Sequence, residues 1–319
     1  MKFQPSFGDI AHLGHVELLA PKFEESLIFF TEVMGLHETG RDETSVYLRA
    51  WGDYERFTLQ LTRSPQSGLG HVAFRARNGE ALKGLVETLE ANGVSGVWRS
   101  GDFGHGPAYR FFSPDGHHVE IYHETEKFQP VGDQVPGFKN QPQRYRPLGI
   151  APKRLDHLNL LAQNIKDCRI FFHELLGMRI TEQIVFEDGQ EVGAWLSATN
   201  KSYDLAFTKD RSHAHGRFHH MTYMMDSRED VLRAADILTE AGVAIEAGPS
   251  KHSIGQTFFL YFYEPSGNRI EIGAGGYLIF APDHEPVVWN REERMRGQAW
   301  GLATVSTFHT YGTPPTEED

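Results

Sequence analysis

The chain has a single cysteine, Cys168, among its 319 residues. No intrachain disulfide can form, and thiolate can supply at most one ligand to any metal. Cys168 shares helical spacing with Phe171 and Phe172 and reads as a small buried hydrophobe. Basic residues are in deficit too: 31 Lys and Arg stand against 43 Asp and Glu, a net charge of -12. That balance disfavours nucleic acid or an acidic membrane surface as a partner. No apolar run reaches the ~20 residues of a membrane span, and Met1-Lys2-Phe3-Gln4-Pro5 has no apolar core of a signal peptide. A cytoplasmic location is expected. Apart from Glu317-Glu318-Asp319 the acidic residues are dispersed, so there is no charged tail of functional length.

What the chain does have is length, histidine and a repeat. The hydrophobic fraction of 39% and the aromatic fraction of 12% suit a globular protein with two sizeable cores. There are 17 histidines, the commonest metal ligand and the side chain that titrates nearest neutrality. Leu13-Gly14-His15-Val16-Glu17-Leu18-Leu19-Ala20 reads almost as Leu155-Asp156-His157-Leu158-Asn159-Leu160-Leu161-Ala162. The match continues at Phe29-Phe30 against Phe171-Phe172, and at Pro114-Asp115-Gly116 with Glu120 against Pro265-Ser266-Gly267 with Glu271.

The repeat goes one level deeper. Four alternating segments open on a histidine, at His15, His71, His157 and His220, and each precedes an amphipathic stretch at 3-to-4 spacing. Gly93 and Gly242 supply stop signals for two of these helices. Short β-rich segments follow, such as 45–48, 57–61, 108–112, 193–196 and 257–262, and the Pro-x-Gly turns at 114–116 and 265–267 join hairpins. The expected fold class is therefore α+β: two tandem domains, each a pair of βαβββ modules. The boundaries read as 9–125, a proline-rich linker at 126–152, a second domain at 153–280 and an extension at 281–319. The extension carries Trp289, Arg291, Arg294, Arg296 and Trp300 and should pack back on the second domain.

Two neutral imidazoles and one carboxylate hold a divalent metal on three neighbouring positions and leave the opposite face open, the arrangement of non-haem Fe(II) oxygenases. Period-2 alternation places His157 and Asn159 on one face of their strand. In the pair His219-His220 the two side chains point to opposite faces. The repeat register selects His220 as the inward one, giving a candidate metal set of His157, His220 and Glu271. A lone histidine at a strand start is more often a satisfied polar residue than a ligand; agreement of three positions with the repeat favours the metal.

The segment from His252 through Leu260-Tyr261, Glu264-Pro265-Ser266-Gly267 and Glu271 resembles the signature of type I extradiol ring-cleaving dioxygenases, members of the vicinal oxygen chelate superfamily related to catechol 2,3-dioxygenases. The resemblance covers essentially the whole chain. It implies that His157, His220 and Glu271 bind Fe(II), with Mn(II) as the alternative. It also implies that His252 and Tyr261 hydrogen-bond the substrate oxygens, that Asn159 lines the open face of the metal, and that Trp195 is an aromatic pocket residue. The substrate would be a catechol, uncharged or alkyl- or aryl-substituted, opened with both atoms of O2. Trp195, Phe207, Ile254 and Phe258 are the apolar pocket candidates. A homo-oligomer is expected on the same ground.

One departure stands out. The family's acid-base histidine, ahead of an Asp-apolar-Ala-apolar strand, is replaced here by Tyr203. A tyrosine titrating near pH ~10 is a poor base and a fair donor. Tyr203 acting as donor only is the preferred reading; His213 or His215 supplying the imidazole, or a different outcome of the chemistry, remain open. In the first half His15, His71 and Glu120 repeat the triad, but the registers of His252, Tyr261 and Asn159 fall on Gly101, Arg110 and Glu17. The first half therefore reads as a relic of duplication without a catalytic metal. A glyoxalase-type isomerase or lyase, or a non-catalytic binding module of the same fold, is the competing function. The His252–Tyr261 pair counts against the first, and the retained ligands against the second.

Overall fold

The computed structural model describes residues 3–295 and 298–316. Arg296, assigned above to the extension, lies outside the described residues. The first module runs β1 (Ile10–Ala20), α1 (Phe23–Ile28), β2 (His37–Arg41), β3 (Ser45–Arg49) and β4 (Leu59–Arg63). The second runs β5 (Gly68–Ala76), α2 (Gly79–Ala91), β6 (Gly96–Arg99), β7 (Ala108–Phe112) and β8 (His118–Tyr122). The pattern then repeats. The third module is β9 (Arg154–Ala162), α3 (Ile165–Ile170), β10 (Arg179–Val185), β11 (Glu191–Ser197) and β12 (Leu205–Lys209). The fourth is β13 (Phe218–Met224), α4 (Arg228–Glu240), β14 (Ile245–Lys251), β15 (Thr257–Tyr263) and β16 (Arg269–Gly275). This is the expected α+β architecture of paired βαβββ modules. The extension adds β17 (Val287–Trp289) and α5 (Arg291–Met295).

Each half forms one mixed sheet, ordered β2-β3-β4-β1-β5-β8-β7-β6 and β14-β15-β16-β13-β9-β12-β11-β10-β17. The modules join where their first strands run antiparallel, β1 with β5 and β9 with β13. The histidine-bearing strands therefore lie at the centre of each sheet.

Two helices depart from simple α periodicity. After Ile28 and after Ile170 the chain widens into one π-helical turn, Phe29–Val33 and Phe171–Leu175. The wider turn buries both members of each Phe-Phe pair, which an α-helix of 3.6 residues per turn would splay 100° apart. Asn78 and Ser227 cap α2 and α4, their side chains accepting from the backbone N–H three residues on.

The repeated halves interlock. Phe29 of the first half packs 6.0 Å from Phe262 of the second, and Phe172 lies 6.2 Å from Phe74. The Pro-x-Gly turns reach across reciprocally: Asp115 Oδ1 accepts from Gln163 N at 2.8 Å, and Ser266 Oγ accepts from Lys22 N at 3.1 Å. One hydrophobic core consequently runs through both halves. Cys168 is fully buried within it, as expected. Among the described residues no helix is long and apolar enough to cross a membrane.

The extension packs on the second sheet. β17 pairs in parallel with β10, and Trp289 Nε1 donates to Glu182 at 2.6 Å. The buried Arg269 guanidinium donates to the carbonyls of Thr307 and Tyr311 at 3.0 and 3.1 Å and to Glu246 at 2.7 Å.

Candidate metal centre and active site

Strand register builds a polar row on one face of the second sheet. Tyr261 on β15 faces Glu271 on β16, Glu271 faces Thr222 on β13, and Thr222 faces His157 on β9. The next position on β13 inward is His220, opposite Asn159. The intervening residues Leu158, Met221, Ile270 and Ile272 fill the core on the other face. Three strands thus fix the positions of His157, His220 and Glu271 without any loop, and a fourth fixes Tyr261.

His157, His220 and Glu271 are all buried and offer ligand atoms within 4.8 Å of one another. His157 Nε2 lies 3.1 Å and His220 Nε2 3.4 Å from Glu271 Oε2. Their outward nitrogens are engaged. His157 Nδ1 donates to Asp156 Oδ2 at 2.9 Å, and Asp156 is itself held by Arg154 at 2.8 Å and Lys201 at 3.6 Å. A histidine that donates through Nδ1 presents its Nε2 lone pair to the centre.

His220 is oriented differently, and here simple alternation fails. The ladder between β13 and β9 slips between Phe218 and His220, so His219 sits at a bulge. Both imidazoles turn inward, with their Nδ1 atoms 2.6 Å apart. His219 Nε2 lies 2.7 Å from the Phe308 carbonyl, which only accepts, so Nε2 carries the proton. Neutral His219 then accepts at Nδ1 from His220 Nδ1–H, leaving the His220 Nε2 lone pair facing Glu271. Of the pair, His220 is the one whose Nε2 faces Glu271, and His219 stands behind it rather than on the opposite face.

Burial pushes His219 well down and His220 to about 4, against the pull of Glu271. Burial would raise Glu271, but the imidazoles of His157, His220 and His252 that surround it hold it well below the usual carboxylate range. Burial would lower His157, but its hydrogen bonds with Asp156 and Glu271 raise it, so a cation entering here would take the place of the proton between His157 Nε2 and Glu271. Two imidazoles and an ionised carboxylate are the donor set of a divalent transition ion. Asn159, also buried, has an Oδ1 with no hydrogen-bond partner among the described residues.

A cavity of about 410 Å³ opens at this centre. Asn159, Trp195, Tyr203, His220, His252, Ile254 and Tyr261 all line it. His252 Nε2 lies 3.0 Å from Tyr261 Oη and 3.3 Å from Glu271 Oε1, and His252 Nδ1 lies 2.8 Å from Gln298 Oε1. The His252 ring stacks on Phe259 at 3.8 Å. Burial, and then the charge of Glu271, push both the Tyr261 and Tyr203 phenols well above their ordinary value. Both therefore remain protonated donors. The Tyr203 ring lies 4.3 Å from that of His157.

His213 and His215 are exposed, neither lines the cavity, and His215 lies against Asp115 at 3.2 Å. Phe207 and Phe258 do not line it either. Ala206 and Thr208 do, so Phe207 between them faces the core near Phe172; Tyr261 does, so Phe258, three positions away, lies on the other side of β15. In their place Ile184, Val192 and Trp289 supply apolar wall, and Arg211, Arg291, Arg294 and His309 bring polar and cationic groups. Burial, and then the nearby arginines Arg294, Arg211 and Arg269, push His309 down to about 4. Of these, Trp289, Arg291, Arg294 and His309 belong to the extension and lie outside the repeat, so its register gave no signal for them.

The first half differs in detail. His15, His105 and Glu120, rather than His15, His71 and Glu120, group within 4.8 Å. His71 Nε2 lies 3.0 Å from His15 Nε2, and Arg110 donates to Glu120 Oε2 at 2.8 and 3.1 Å. The loop after Gly101 brings in an imidazole that the register placed nowhere.

A family model described as the glyoxalase/bleomycin resistance protein/dioxygenase superfamily matches residues 12–121 and 154–272. The chain is 41% identical over 320 residues to a metapyrocatechase of Geobacillus stearothermophilus, covering 99% of this chain and 98% of the relative. It is 38% identical to a manganese-dependent 2,3-dihydroxybiphenyl 1,2-dioxygenase of Geobacillus genomosp. 3, covering 92% and 94%. The crystal structure of the 2,3-dioxygenase LapB from Pseudomonas sp. KL28 superposes with a TM-score of 0.83 at 31% identity, covering 90% of this chain and 99% of that one. The chain belongs to the glyoxalase/bleomycin resistance protein/dioxygenase superfamily, and within it to the extradiol ring-cleaving dioxygenases.

Proposed function

We propose that this enzyme opens a catechol ring beside its diol, inserting both atoms of O2 to give a hydroxymuconic semialdehyde-type product. The observation that carries this reading is the hydrogen-bonded His252–Tyr261 pair, which lines the cavity and is set against Glu271. The metal would be held by His157, His220 and Glu271; Fe(II), with Mn(II) as the alternative, would supply the redox centre that couples the electron-rich ring to O2. The catalytic metal belongs to the second domain, 153–280, and the first domain, 9–125, carries no catechol site.

The side chains divide the remaining work. Tyr261 and Tyr203, kept protonated by burial, donate to oxygens that gain negative charge. With Gln298 accepting at Nδ1, His252 has its Nε2 free to take and return a proton. Asn159 Oδ1 accepts from a group on the open face. Trp195 and Ile254 pack on the ring. The test is direct: load the metal-free protein with Fe(II) or Mn(II) anaerobically, add catechol or 2,3-dihydroxybiphenyl with air, and follow O2 uptake and a yellow product. No O2 consumption with any catechol under either metal refutes the reading. Full activity in His220→Ala refutes the ligand assignment.

A further inference from the structure

We infer that the first half binds a divalent metal ion of the Zn²⁺ class at His15, His105 and Glu120, with His71 alongside, as a second and non-catalytic metal site. The inference comes from where the lone pairs point. His105 Nδ1 lies 2.9 Å from the Gly106 carbonyl, an acceptor only, so Nδ1 carries the proton and Nε2 a lone pair. His71 Nδ1 lies 2.8 Å from Glu17 Oε2, so its Nε2 is likewise a lone pair. Glu120 Oε1 is buried and has no hydrogen-bond partner among the described residues. Three acceptors therefore surround His15 with no donor among them except a single His15 N–H.

The spacing supports a cation over a hydrogen-bond network. His105 Nε2 is 3.7 Å and His15 Nε2 3.8 Å from Glu120 Oε1, too long for either ring to donate. Ligand atoms held at about 2.0–2.2 Å from one ion lie roughly 3–4 Å apart. His15 and His71 meet at 3.0 Å, Nε2 to Nε2. The Glu17–His71 contact is the carboxylate–histidine arrangement that fixes a metal-binding tautomer. A glutamate in this register would be poorly placed to line a catechol face, but it suits a site that only holds an ion.

Arg110 is the evident objection, because its guanidinium contributes positive charge. It binds only Glu120 Oε2, at 2.8 and 3.1 Å, and so turns Oε1 towards the imidazoles. Its side chain is 26% exposed, so solvent screens part of its repulsion. A cavity lined by His105, Arg110, Glu120 and Asp102 gives an ion a way in.

The test separates the two sites and reads metal, not turnover. Protein stripped with chelator is dialysed against Zn²⁺ and counted by elemental analysis, and Zn²⁺-soaked crystals are mapped by anomalous scattering. Two ions per chain are expected in the parent. One should remain in His157→Ala/Glu271→Ala and none after adding His105→Ala and Glu120→Gln, with at least a tenfold loss of affinity for each first-half substitution alone. An anomalous peak among His15, His105 and Glu120 is expected in the parent, and this readout stands even if a variant fails to fold. A peak only at the second-half centre, or no Zn²⁺ retained by His157→Ala/Glu271→Ala that still shows the parent's circular dichroism, overturns the inference.

Discussion

Replacing His219 by leucine removes the acceptor that fixes the tautomer of His220. In the parent, the Phe308 carbonyl accepts from His219 Nε2–H at 2.7 Å and His219 Nδ1 meets His220 Nδ1 at 2.6 Å. With a metal on Nε2, His220 must carry its proton on Nδ1. In His219→Leu that N–H is buried without a partner, at a cost of about 1–3 kcal/mol. The metal-free variant escapes the cost, because His220 can shift its proton to Nε2 and donate towards Glu271, 3.4 Å away. The penalty therefore falls on metal binding. At about 1.4 kcal/mol per factor of ten it predicts the metal held roughly 5- to 150-fold more weakly, overlapping the 10- to 100-fold typical of partners behind a ligand. The assay is an anaerobic Fe(II) titration against a competing chelator, with turnover then measured at saturating iron. His219→Asn retains an oxygen that can accept from His220 Nδ1–H and should recover most of the affinity. Iron affinity within twofold of the parent in His219→Leu, or equal losses in the leucine and asparagine variants, would refute the tautomer argument.

Four further outcomes can be measured. Tyr203→Phe should lower kcat/KM by about one to two orders of magnitude, the worth of a hydrogen bond to a charged group. The pH–rate profile should keep its shape, because a phenol raised far above its ordinary value titrates outside the assay range; a shifted limb would make Tyr203 the base. Arg269→Met strands Glu246 in a buried position and releases the carbonyls of Thr307 and Tyr311, so it should cost about 3–5 kcal/mol in denaturant unfolding and speed proteolysis of the extension. Burial would raise Glu246, but Arg269, Tyr263 and Thr307 hold it below its ordinary value. Its stabilisation is thus complete above the unfolded-state pKa and lost as pH falls through the depressed folded-state value, and Glu246→Gln should remove that acid-dependent part. Phe172→Ala, at the contact between the halves, should cost about 3–5 kcal/mol and leave a single unfolding transition; two separated transitions would contradict the shared core.

The repeat made the fold and the clustering of His157, His220 and Glu271 readable because both depend on strand position. A period of two puts His157 and Asn159 on one face whatever the rest of the chain does, and the second copy at His15 and Glu17 repeats the same parity, although the strands begin earlier, at Ile10 and Arg154. What stayed hidden lies where backbone geometry breaks that period or where the repeat stops. The bulge at His219 turned two neighbouring imidazoles to the same side, and no alternation rule contains a bulge. Phe207 and Phe258 carry the right chemistry for a ring pocket, yet the parity of Ala206 and of Tyr261 sends them to the core. Parity applied to those strands would have found this.

The extension illustrates the opposite case. Trp289, Arg291, Arg294, Gln298, Phe308 and His309 reach the cavity, held by contacts separated by many tens of positions, such as Trp289 with Glu182 and Phe308 with His219. Nothing local in the sequence specifies these pairings. Yet the Phe308 carbonyl, a backbone group with no sequence signal, sets the proton of His219 and through it the metal-facing nitrogen of His220. The positions of His157, His220 and Glu271 come from the duplicated scaffold, while the proton placement at His220 is set by a segment outside the repeat. A relative that keeps His157, His220 and Glu271 but alters the chain near 308 should therefore bind its metal with different affinity while retaining the same three ligands.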